Sequence, residues 1–297
     1  MPSSGCAGGR SAHTRAGGMK GLLAAALVLC AGTAAAQGDW DAPQAPFTVH
    51  GSTNYVGTAG ISALLITSPA GHILIDGTTV AGAKVVAANI RTLGYDVRDI
   101  RYILSSHAHG DHAGGIAALQ KASGARVLAG TGNVETLRTG VTPRQDPQFG
   151  TLSPFPGSAR VGAVRDGEVV KLGPLALTAH STPGHTPGGT TWTWRSCEKD
   201  KCLNMVFADS VTAVAAEGFR FSRHPELIAQ FRRSFEAMAQ LPCDIAIAAH
   251  PEVNALWGRL ERAAREGSAA YADTGSCRAI ADAGRKRLDD RLSQEKR

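Results

Sequence analysis

The sequence predicts an α/β protein in which two β-sheets pack face to face and helices cover both outer faces. Three observations lead to this prediction. The chain of 297 residues, of which 43% are hydrophobic, is long enough for one large domain with a sizeable core. In each half, short strand-like segments follow one another and then alternate with helix-like segments. No repeat of about 20 to 50 residues is apparent, which argues against a solenoid.

The first half of the chain supplies one sheet and its helices. Segment 80–93 has Val86, Ile90 and Leu93 near helical spacing and stops at Gly94, which predicts a helix. The remaining predicted elements are an extended arm at 40–47, a hairpin of strands 61–67 and 72–76, strands at 101–105 and 126–129, and a helix at 115–122.

The second half repeats this order of strands and helices. Segment 132–165, between the halves, is rich in Gly, Pro, Thr and Ser and lacks periodicity, so it predicts a long loop beside the functional site. We predict strands at 168–172, 175–180, 190–194, 204–208 and 244–249, and helices at 225–240, 252–265 and 270–292.

The first 36 residues have the pattern of an export signal. A short basic start at Met19 is followed by an apolar run at 22–31 and by three alanines at 34–36, which supply a cleavage site. We therefore predict a signal peptide at 1–36 and a periplasmic domain at 37–297.

Two alternatives concern this N-terminal segment. Residues 1–18 are consistent with an upstream extension, because Met19 begins a better signal. Cys30 raises the alternative of a lipoprotein, but a bulky Leu29 precedes it where such signals usually have a small residue. Since the apolar run is too short to span a bilayer comfortably, we expect no stable membrane anchor.

Cysteine usage agrees with export to an oxidising compartment. Four cysteines follow residue 36 and allow three pairings. Cys197 and Cys202 bracket a charged turn after a strand, which favours a disulfide across a hairpin, and Cys243 with Cys277 would then tie the end of the chain to the core. The alternative of a zinc site is disfavoured, because no CxxC motif occurs.

The charge of the chain argues against a nucleic-acid partner. The formal net charge is +6, but three basic residues and no acidic ones lie before residue 37, which leaves +3 for the rest. This charge is small and scattered, so we expect no nucleic-acid binding. We expect a monomer that acts on a small molecule.

The strongest signal is the segment Ser-His-Ala-His-Gly-Asp-His-Ala-Gly-Gly at 106–115, after an apolar strand. It contains four side chains that bind metals within six residues, and imidazoles with a carboxylate are a natural zinc set. One ion cannot easily take all four, so the alternation predicts that His107 and His109 bind one zinc ion and that Asp111 and His112 bind another. Gly110 would permit the bend between the pairs.

Distant loops must complete such a ligand set. His185 lies in a loop rich in Gly and Pro, and His250 begins a turn after a strand. His180 is the alternative to His185, but we expect it to end a strand and support the loop. His72 and His224 are expected to be ordinary packing or surface residues.

These motifs resemble the metallo-β-lactamase superfamily, and within it the subclass B3 enzymes, over essentially the whole chain after residue 36. The HxHxDH segment is typical of the superfamily, while Gly-His-Thr-Pro-Gly-Gly at 184–189 and Ala-Asp-Ser at 208–210 are similar to subclass B3. The resemblance implies an αββα sandwich and two zinc ions. It implies two ligand sets, the first made of His107, His109 and His185 and the second of Asp111, His112 and His250. The cysteine pairs also resemble disulfides of this group.

The resemblance implies a β-lactamase that hydrolyses the amide bond of penicillins, cephalosporins and carbapenems with a zinc-activated hydroxide. Asp111 would be the catalytic residue that orients this hydroxide. Ser210 and Thr212 would meet the substrate carboxylate, and Gln148 would add a hydrogen bond to the substrate. Asp76, at a strand end, is expected to be a structural hydrogen-bonding residue.

The main alternative is a lactonase or thioester hydrolase of the same superfamily. Those relatives usually have an aspartate that bridges both metals, in the region occupied here by Asp209 and Ser210. An Asp209 that points at the metals would favour the alternative, whereas Ser210 in that place would favour the β-lactamase.

Overall fold

Two β-sheets form the centre of the protein in the computed structural model, which describes residues 40–296. The first sheet has seven strands in the order β1 to β7, and the second has five in the order β12-β11-β10-β9-β8. Each sheet therefore uses one continuous part of the chain. The predicted signal peptide and its upstream extension lie outside the described residues.

The strands of the first sheet are β1 (Phe47–His50), β2 (Thr53–Tyr55), β3 (Leu64–Ile66), β4 (His72–Ile75), β5 (Ile100–Leu104), β6 (Arg126–Gly130) and β7 (Val161–Val164). Those of the second are β8 (Val169–Leu172), β9 (Leu175–Ser181), β10 (Thr190–Glu198), β11 (Lys201–Ala208) and β12 (Ile245–Ala248). The helices are α1 (Ala83–Thr92), α2 (Gly110–Ala113), α3 (Ile116–Ser123), α4 (Val134–Thr139), α5 (Pro225–Ala239), α6 (Leu256–Glu266) and α7 (Ser276–Gln294). Short 3₁₀ turns lie at Val97–Asp99, Thr131–Asn133, Phe221–Arg223, Pro251–Asn254 and Gly267–Tyr271.

Alternation along the strands explains how the sheets pack. In β4, Ile73 and Ile75 belong to the core between the sheets, whereas Leu74 belongs to the core beneath α1 and α3. In β11, Phe207 faces the other sheet and Val206 faces α5 and α7. Because successive side chains of a strand point to opposite faces, each sheet is buried on both sides. The predicted αββα sandwich is confirmed.

The predicted long loop at 132–165 is wrong at both ends. Its start forms the short helix α4, and its end forms the edge strand β7, which pairs parallel with β6. Strands β1 and β2 were not predicted, and α7 begins at Ser276 rather than at 270. Strands β1 and β2 have too few residues for a periodic pattern, and a 3₁₀ turn at Gly267–Tyr271 lies where the predicted start of α7 was placed.

Both predicted disulfides are present. Cys197–Cys202 joins paired residues of the β10–β11 hairpin. Cys243–Cys277 ties the residues before β12 to the first turn of α7. Within residues 40–296, no helix is long and apolar enough to cross a membrane.

The two sheets bring their loops together at one edge. The Thr190 N–H donates to Ser106 O at 2.8 Å, and the Trp192 indole N–H donates to Ser105 O at 3.1 Å. These bonds join the start of β10 to the residues that follow β5. As a result, the histidine segment after β5 lies beside the loops that follow β9, β11 and β12.

The end of α7 is held by a carboxylate that accepts two backbone hydrogen bonds. Glu295 accepts from the N–H groups of Phe221 at 2.9 Å and Ser222 at 2.8 Å, and its side chain is 7% exposed. Burial opposes its ionisation, but these donors hold the pKa of Glu295 below its usual 4.5. The bonds therefore stabilise the fold at neutral pH, and this contribution is lost as the pH falls through the lowered pKa.

Replacing Glu295 with alanine is expected to lower the free energy of unfolding by about 2 kcal/mol at pH 7, because two charge-assisted bonds are removed. Urea denaturation measures the change, and Glu295→Gln, which keeps one acceptor, should lose less. The difference between wild type and Glu295→Ala should shrink in acid. A loss below about 0.5 kcal/mol, the range of ordinary surface changes, would contradict this role.

Candidate metal centre

The histidine segment begins where β5 leaves the core. Asp76, which follows β4, accepts hydrogen bonds from Ser106 N at 2.7 Å and Ser106 Oγ at 2.6 Å. Its side chain is fully buried and its φ is +60°, a conformation that non-glycine residues rarely adopt. Burial raises the pKa of Asp76 to about 6. Asp76 thus holds the start of the segment, as its position at a strand end predicted.

The chain changes direction at the start of helix α2. His109 is extended, with φ of −92° and ψ of 152°, and Gly110 begins a four-residue helix that carries Asp111 and His112. Gly110 was predicted to permit the bend between the two pairs, but the structure shows no need for glycine there. A Cβ at this position would meet Phe155 at 3.7 Å, which is an ordinary contact, and Gly110 has no positive φ.

Three buried histidines form the first donor group. The ligand atoms of His107, His109 and His185 lie within 4.8 Å of one another. The ring of His185 lies 5.0 Å from that of His107 and 4.8 Å from that of His109, centroid to centroid. The loop after β9 therefore brings His185 to the pair that follows β5.

Each histidine of this group has one ring nitrogen bound to an oxygen. His107 Nδ1 lies 2.9 Å from Asp209 Oδ1, and His109 Nε2 lies 3.0 Å from Asp146 Oδ2. His185 Nδ1 lies 2.9 Å from the Thr212 carbonyl oxygen. Such acceptors fix the tautomer, so that the other nitrogen is a free lone-pair donor.

Burial keeps two of these imidazoles, those of His107 and His185, neutral. Together with the neighbouring histidines, it lowers the pKa of His107 well below 6.5 and that of His185 to about 3. A neutral imidazole is the form that binds a metal. At neutral pH, His107 and His185 are therefore ready to act as ligands.

The second donor group is formed by Asp111, His112 and His250. Asp111 Oδ2 lies 3.2 Å from His112 Nε2 and 3.5 Å from His250 Nε2, and the two nitrogens lie 3.1 Å apart. Ligand atoms held about 2.1 Å from a tetrahedral zinc ion are about 3.4 Å apart. The three separations therefore match one face of a zinc coordination tetrahedron. His107 also lies within ligand distance of Asp111 and His112, so the two groups adjoin.

Four carboxylates lie at this site, one of them the donor Asp111, and their basic neighbours are histidines. Asp76 and Asp209 are fully buried, Asp146 is 2% exposed and Asp111 is 19% exposed. Among the described residues, no lysine or arginine forms an ion pair with any of the four. Carboxylates buried at this density require charge compensation when ionised, and bound metal cations would supply it.

The donors open onto a cleft of about 540 Å³. All three predicted substrate-binding residues, Ser210, Thr212 and Gln148, line this cleft. Sequence reasoning missed several other lining residues, among them Trp40, Leu152, Ser153, Glu252, Val253 and Arg287. The Trp40 ring packs against His250 with centroids 5.3 Å apart. A lone tryptophan in an extended arm carries no signal for this position, since only the tertiary fold brings the two together.

The remaining histidines considered above lie outside the donor groups. His180 is the last residue but one of β9, close to the strand end where it was predicted. Its Nε2 lies 2.8 Å from Thr193 Oγ1 of β10, so it supports the sheet rather than the loop. The ring of His72 packs edge-on against Tyr95, and that of His224 stacks on Phe219.

Asp209 is placed behind the donors. Its carboxylate accepts from Ser210 N at 2.8 Å and Thr182 Oγ1 at 3.2 Å, in addition to its contact with His107 Nδ1. It therefore contacts the nitrogen of His107 on the side away from the ligand atoms. Ser210, one residue later, lines the cleft.

Comparison with known proteins agrees with this site. The sequence model of the metallo-β-lactamase superfamily matches residues 56–198. The metallo-β-lactamase SMB-1, solved with 2-mercaptoethanesulfonate, is 66% identical, with a TM-score of 0.86 over 86% of this chain and 99% of that chain. MEM-A1, a subclass B3 metallo-β-lactamase from a soil metagenome library, is 50% identical, with a TM-score of 0.85 over 86% of this chain and 98% of that chain.

Curated proteins of another activity match more distantly. The hydroxyacylglutathione hydrolase of Anaeromyxobacter dehalogenans is 37% identical over 94 residues, which are 32% of this chain and 29% of that protein. That of Pseudomonas paraeruginosa is 30% identical over 55% of this chain and 57% of that protein. The chain thus spans only 29% and 57% of the lengths of these two relatives. By its fold, its donor groups and its identity to SMB-1 and MEM-A1, the chain belongs to the metallo-β-lactamase superfamily, among the subclass B3 enzymes.

Proposed function

We propose that the protein is a zinc-dependent β-lactamase that hydrolyses the amide bond of penicillins, cephalosporins and carbapenems. The observation that carries this function is the placement of Asp209 and Ser210. The Asp209 carboxylate contacts His107 Nδ1 at 2.9 Å, on the side of the imidazole away from its proposed metal-binding nitrogen. Ser210, in contrast, lines the cleft. A bridging aspartate, which the lactonase or thioester-hydrolase alternative requires, is therefore not supplied by Asp209.

We propose that two zinc ions are held by the six donors. The first set is His107 Nε2, His109 Nδ1 and His185 Nε2, because the other ring nitrogen of each contacts an oxygen. The second set is Asp111 Oδ2, His112 Nε2 and His250 Nε2, whose separations suit tetrahedral zinc. Three protein ligands for each ion leave positions open, as in catalytic sites.

Zinc ions held there would supply a nucleophile from water at neutral pH and would polarise the lactam carbonyl. Asp111, at the cleft wall, accepts a hydrogen bond from the attacking water and orients it toward that carbonyl. Ser210 and Thr212 donate hydrogen bonds to the carboxylate of the antibiotic. Gln148 lines the cleft, where its side-chain amide would donate a hydrogen bond to a substrate oxygen. Trp40 packs against His250 and forms part of the cleft wall.

We also propose that the protein works in the periplasm as a monomer. Two disulfides within the domain suit an oxidising compartment. Expression of the full-length chain in a Gram-negative host should release, on osmotic shock, a protein that begins at Gln37 and elutes as a monomer. Retention of the protein in the cytoplasm with residues 1–36 intact would contradict export.

Hydrolysis by this purified protein tests the proposed activity. A penicillin, a cephalosporin and a carbapenem are followed by absorbance, with and without a chelator, beside a homoserine lactone and a glutathione thioester. We expect rapid loss of the β-lactams that zinc restores after chelation, and no such loss with His107→Ala. Stable β-lactams beside zinc-dependent opening of the lactone or thioester would move the function to the alternative.

A further inference from the structure

Helix α7 packs so closely against the residues that follow β11 that a side chain at position 284 would not fit. A Cβ at Gly284 would lie 2.7 Å from the Val211 carbonyl oxygen and 2.8 Å from the Phe235 ring. Glycine at this position therefore lets α7 pack against the residues that follow β11, which include Ser210 and Thr212. The Cys243–Cys277 disulfide fixes the first turn of the same helix.

Arg287 lies three residues after Gly284, nearly one helical turn further along α7. It lines the cleft together with Ser210 and Thr212, and it also lines an adjoining chamber of about 260 Å³. Among the described residues that line the cleft, Arg287 is the sole lysine or arginine. The close packing at Gly284 thus places one guanidinium-bearing residue beside the two hydroxyl residues.

The guanidinium of Arg287 has no protein partner among residues 40–296, whereas its basic neighbours on α7 are paired. Arg285 contacts Asp282, Lys286 contacts Asp290, and Arg291 contacts Glu295. Glu252 also lines the cleft but forms no ion pair with Arg287 within the described part of the chain. Arg287 is exposed as well as unpaired, so it is free to bind an anion that enters the cleft.

We propose that Arg287 binds the carboxylate of the substrate, together with the hydroxyl groups of Ser210 and Thr212. This inference rests on the proposed β-lactamase function. Two neutral hydroxyls provide hydrogen bonds but no charge, whereas a guanidinium provides both charge and paired donors that match a carboxylate. Arg287 is thereby a specificity-determining residue that favours β-lactams with a free carboxylate.

Kinetics of Arg287→Ala test the proposal. For a penicillin, KM should rise about tenfold while kcat changes less than about twofold, as expected for the loss of one charge-assisted contact made in the bound substrate. The methyl ester of the same penicillin should show no such difference between wild type and variant. Arg287→Lys should have a KM between those of wild type and Arg287→Ala, because the positive charge remains.

Arg278→Ala is the matched control. Arg278 lies on α7, is exposed, has no ion pair among the described residues and does not line the cleft, so its removal changes the net charge equally. KM for the penicillin should be unchanged in this variant. Equal increases in KM for Arg278→Ala and Arg287→Ala would overturn the proposal, since they would show an effect of net charge alone.

A binding measurement separates this proposal from the proposed function. Calorimetry measures the affinity of the zinc-loaded protein for mercaptoacetic acid and for neutral mercaptoacetamide. Arg287→Ala should weaken the binding of the acid about tenfold and change the binding of the amide little. If wild type hydrolyses β-lactams but the variant binds both acid and penicillin normally, the role of Arg287 is refuted and the function stands. If wild type hydrolyses no β-lactam but the binding of mercaptoacetic acid still depends on Arg287, the proposed function is wrong and an anion site at Arg287 stands.

Discussion

Replacement of Asp111 by asparagine is expected to lower kcat/KM for a β-lactam by about 10³-fold, within the range for a residue that positions a proton in the transition state. Burial opposes ionisation of Asp111, but the imidazoles of His112 and His250 hold its pKa below the usual 3.8. The side chain is therefore an anion at every pH at which the enzyme works. Asparagine keeps the size of the side chain but loses the charge and one acceptor oxygen.

A loss of activity caused by the missing carboxylate must be distinguished from one caused by weaker zinc binding. Metal content is measured by inductively coupled plasma mass spectrometry on the same samples, and kcat/KM is measured at saturating zinc. Asp200→Asn, in the exposed turn between β10 and β11, removes the same charge far from the site and should leave hydrolysis unchanged. An Asp111→Asn protein within about threefold of wild-type activity would contradict the proposed role.

Replacement of Asp209 by asparagine is expected to lower zinc affinity, or kcat/KM at limiting zinc, by about 10- to 100-fold. The Asp209 carboxylate holds His107 Nδ1 at 2.9 Å and is itself fixed by Ser210 N and Thr182 Oγ1. Asparagine can present its amide nitrogen to His107 and so favour the wrong tautomer, in which Nε2 carries the proton. His107 would then lose the lone pair that the first zinc ion requires.

A second aspartate distinguishes this effect from simple destabilisation. Asp244 accepts two bonds from Asn204, each 2.8 Å long, in the middle of β11. Asp244→Asn should lower the free energy of unfolding without changing zinc affinity, measured by competition with a chromophoric chelator. Equal zinc affinity of wild type and Asp209→Asn would show that Asp209 does not position His107.

The ligand candidates could be predicted because their chemistry is local in sequence. His107, His109, Asp111 and His112 follow one buried strand within six residues, a density that a surface loop rarely reaches by chance. His185 and His250 could be found because each follows a strand at a turn. Strand ends of an α/β sandwich meet at one edge, so these residues were candidates before any distance was known.

The partners of those residues could not be predicted. Asp146 contacts His109 from a segment without periodicity, and Arg287 reaches the cleft from the last helix. Neither residue belongs to a motif. Each contact forms only because a loop or helix packs against a part of the chain that is more than 30 residues away in the sequence. The same limit applies to β1 and β2, which have only four and three residues and are stabilised by pairing with their neighbours.

The division of the chain between the two sheets makes the enzyme suitable as a split reporter. All seven strands of one sheet precede residue 165 and all five of the other follow residue 168, and the four residues between them are exposed. A cut there would place four of the six proposed ligands on one fragment and two on the other, while both disulfides would remain within the second fragment. Neither fragment could complete a zinc set alone, so antibiotic hydrolysis would report that two proteins fused to the fragments had met.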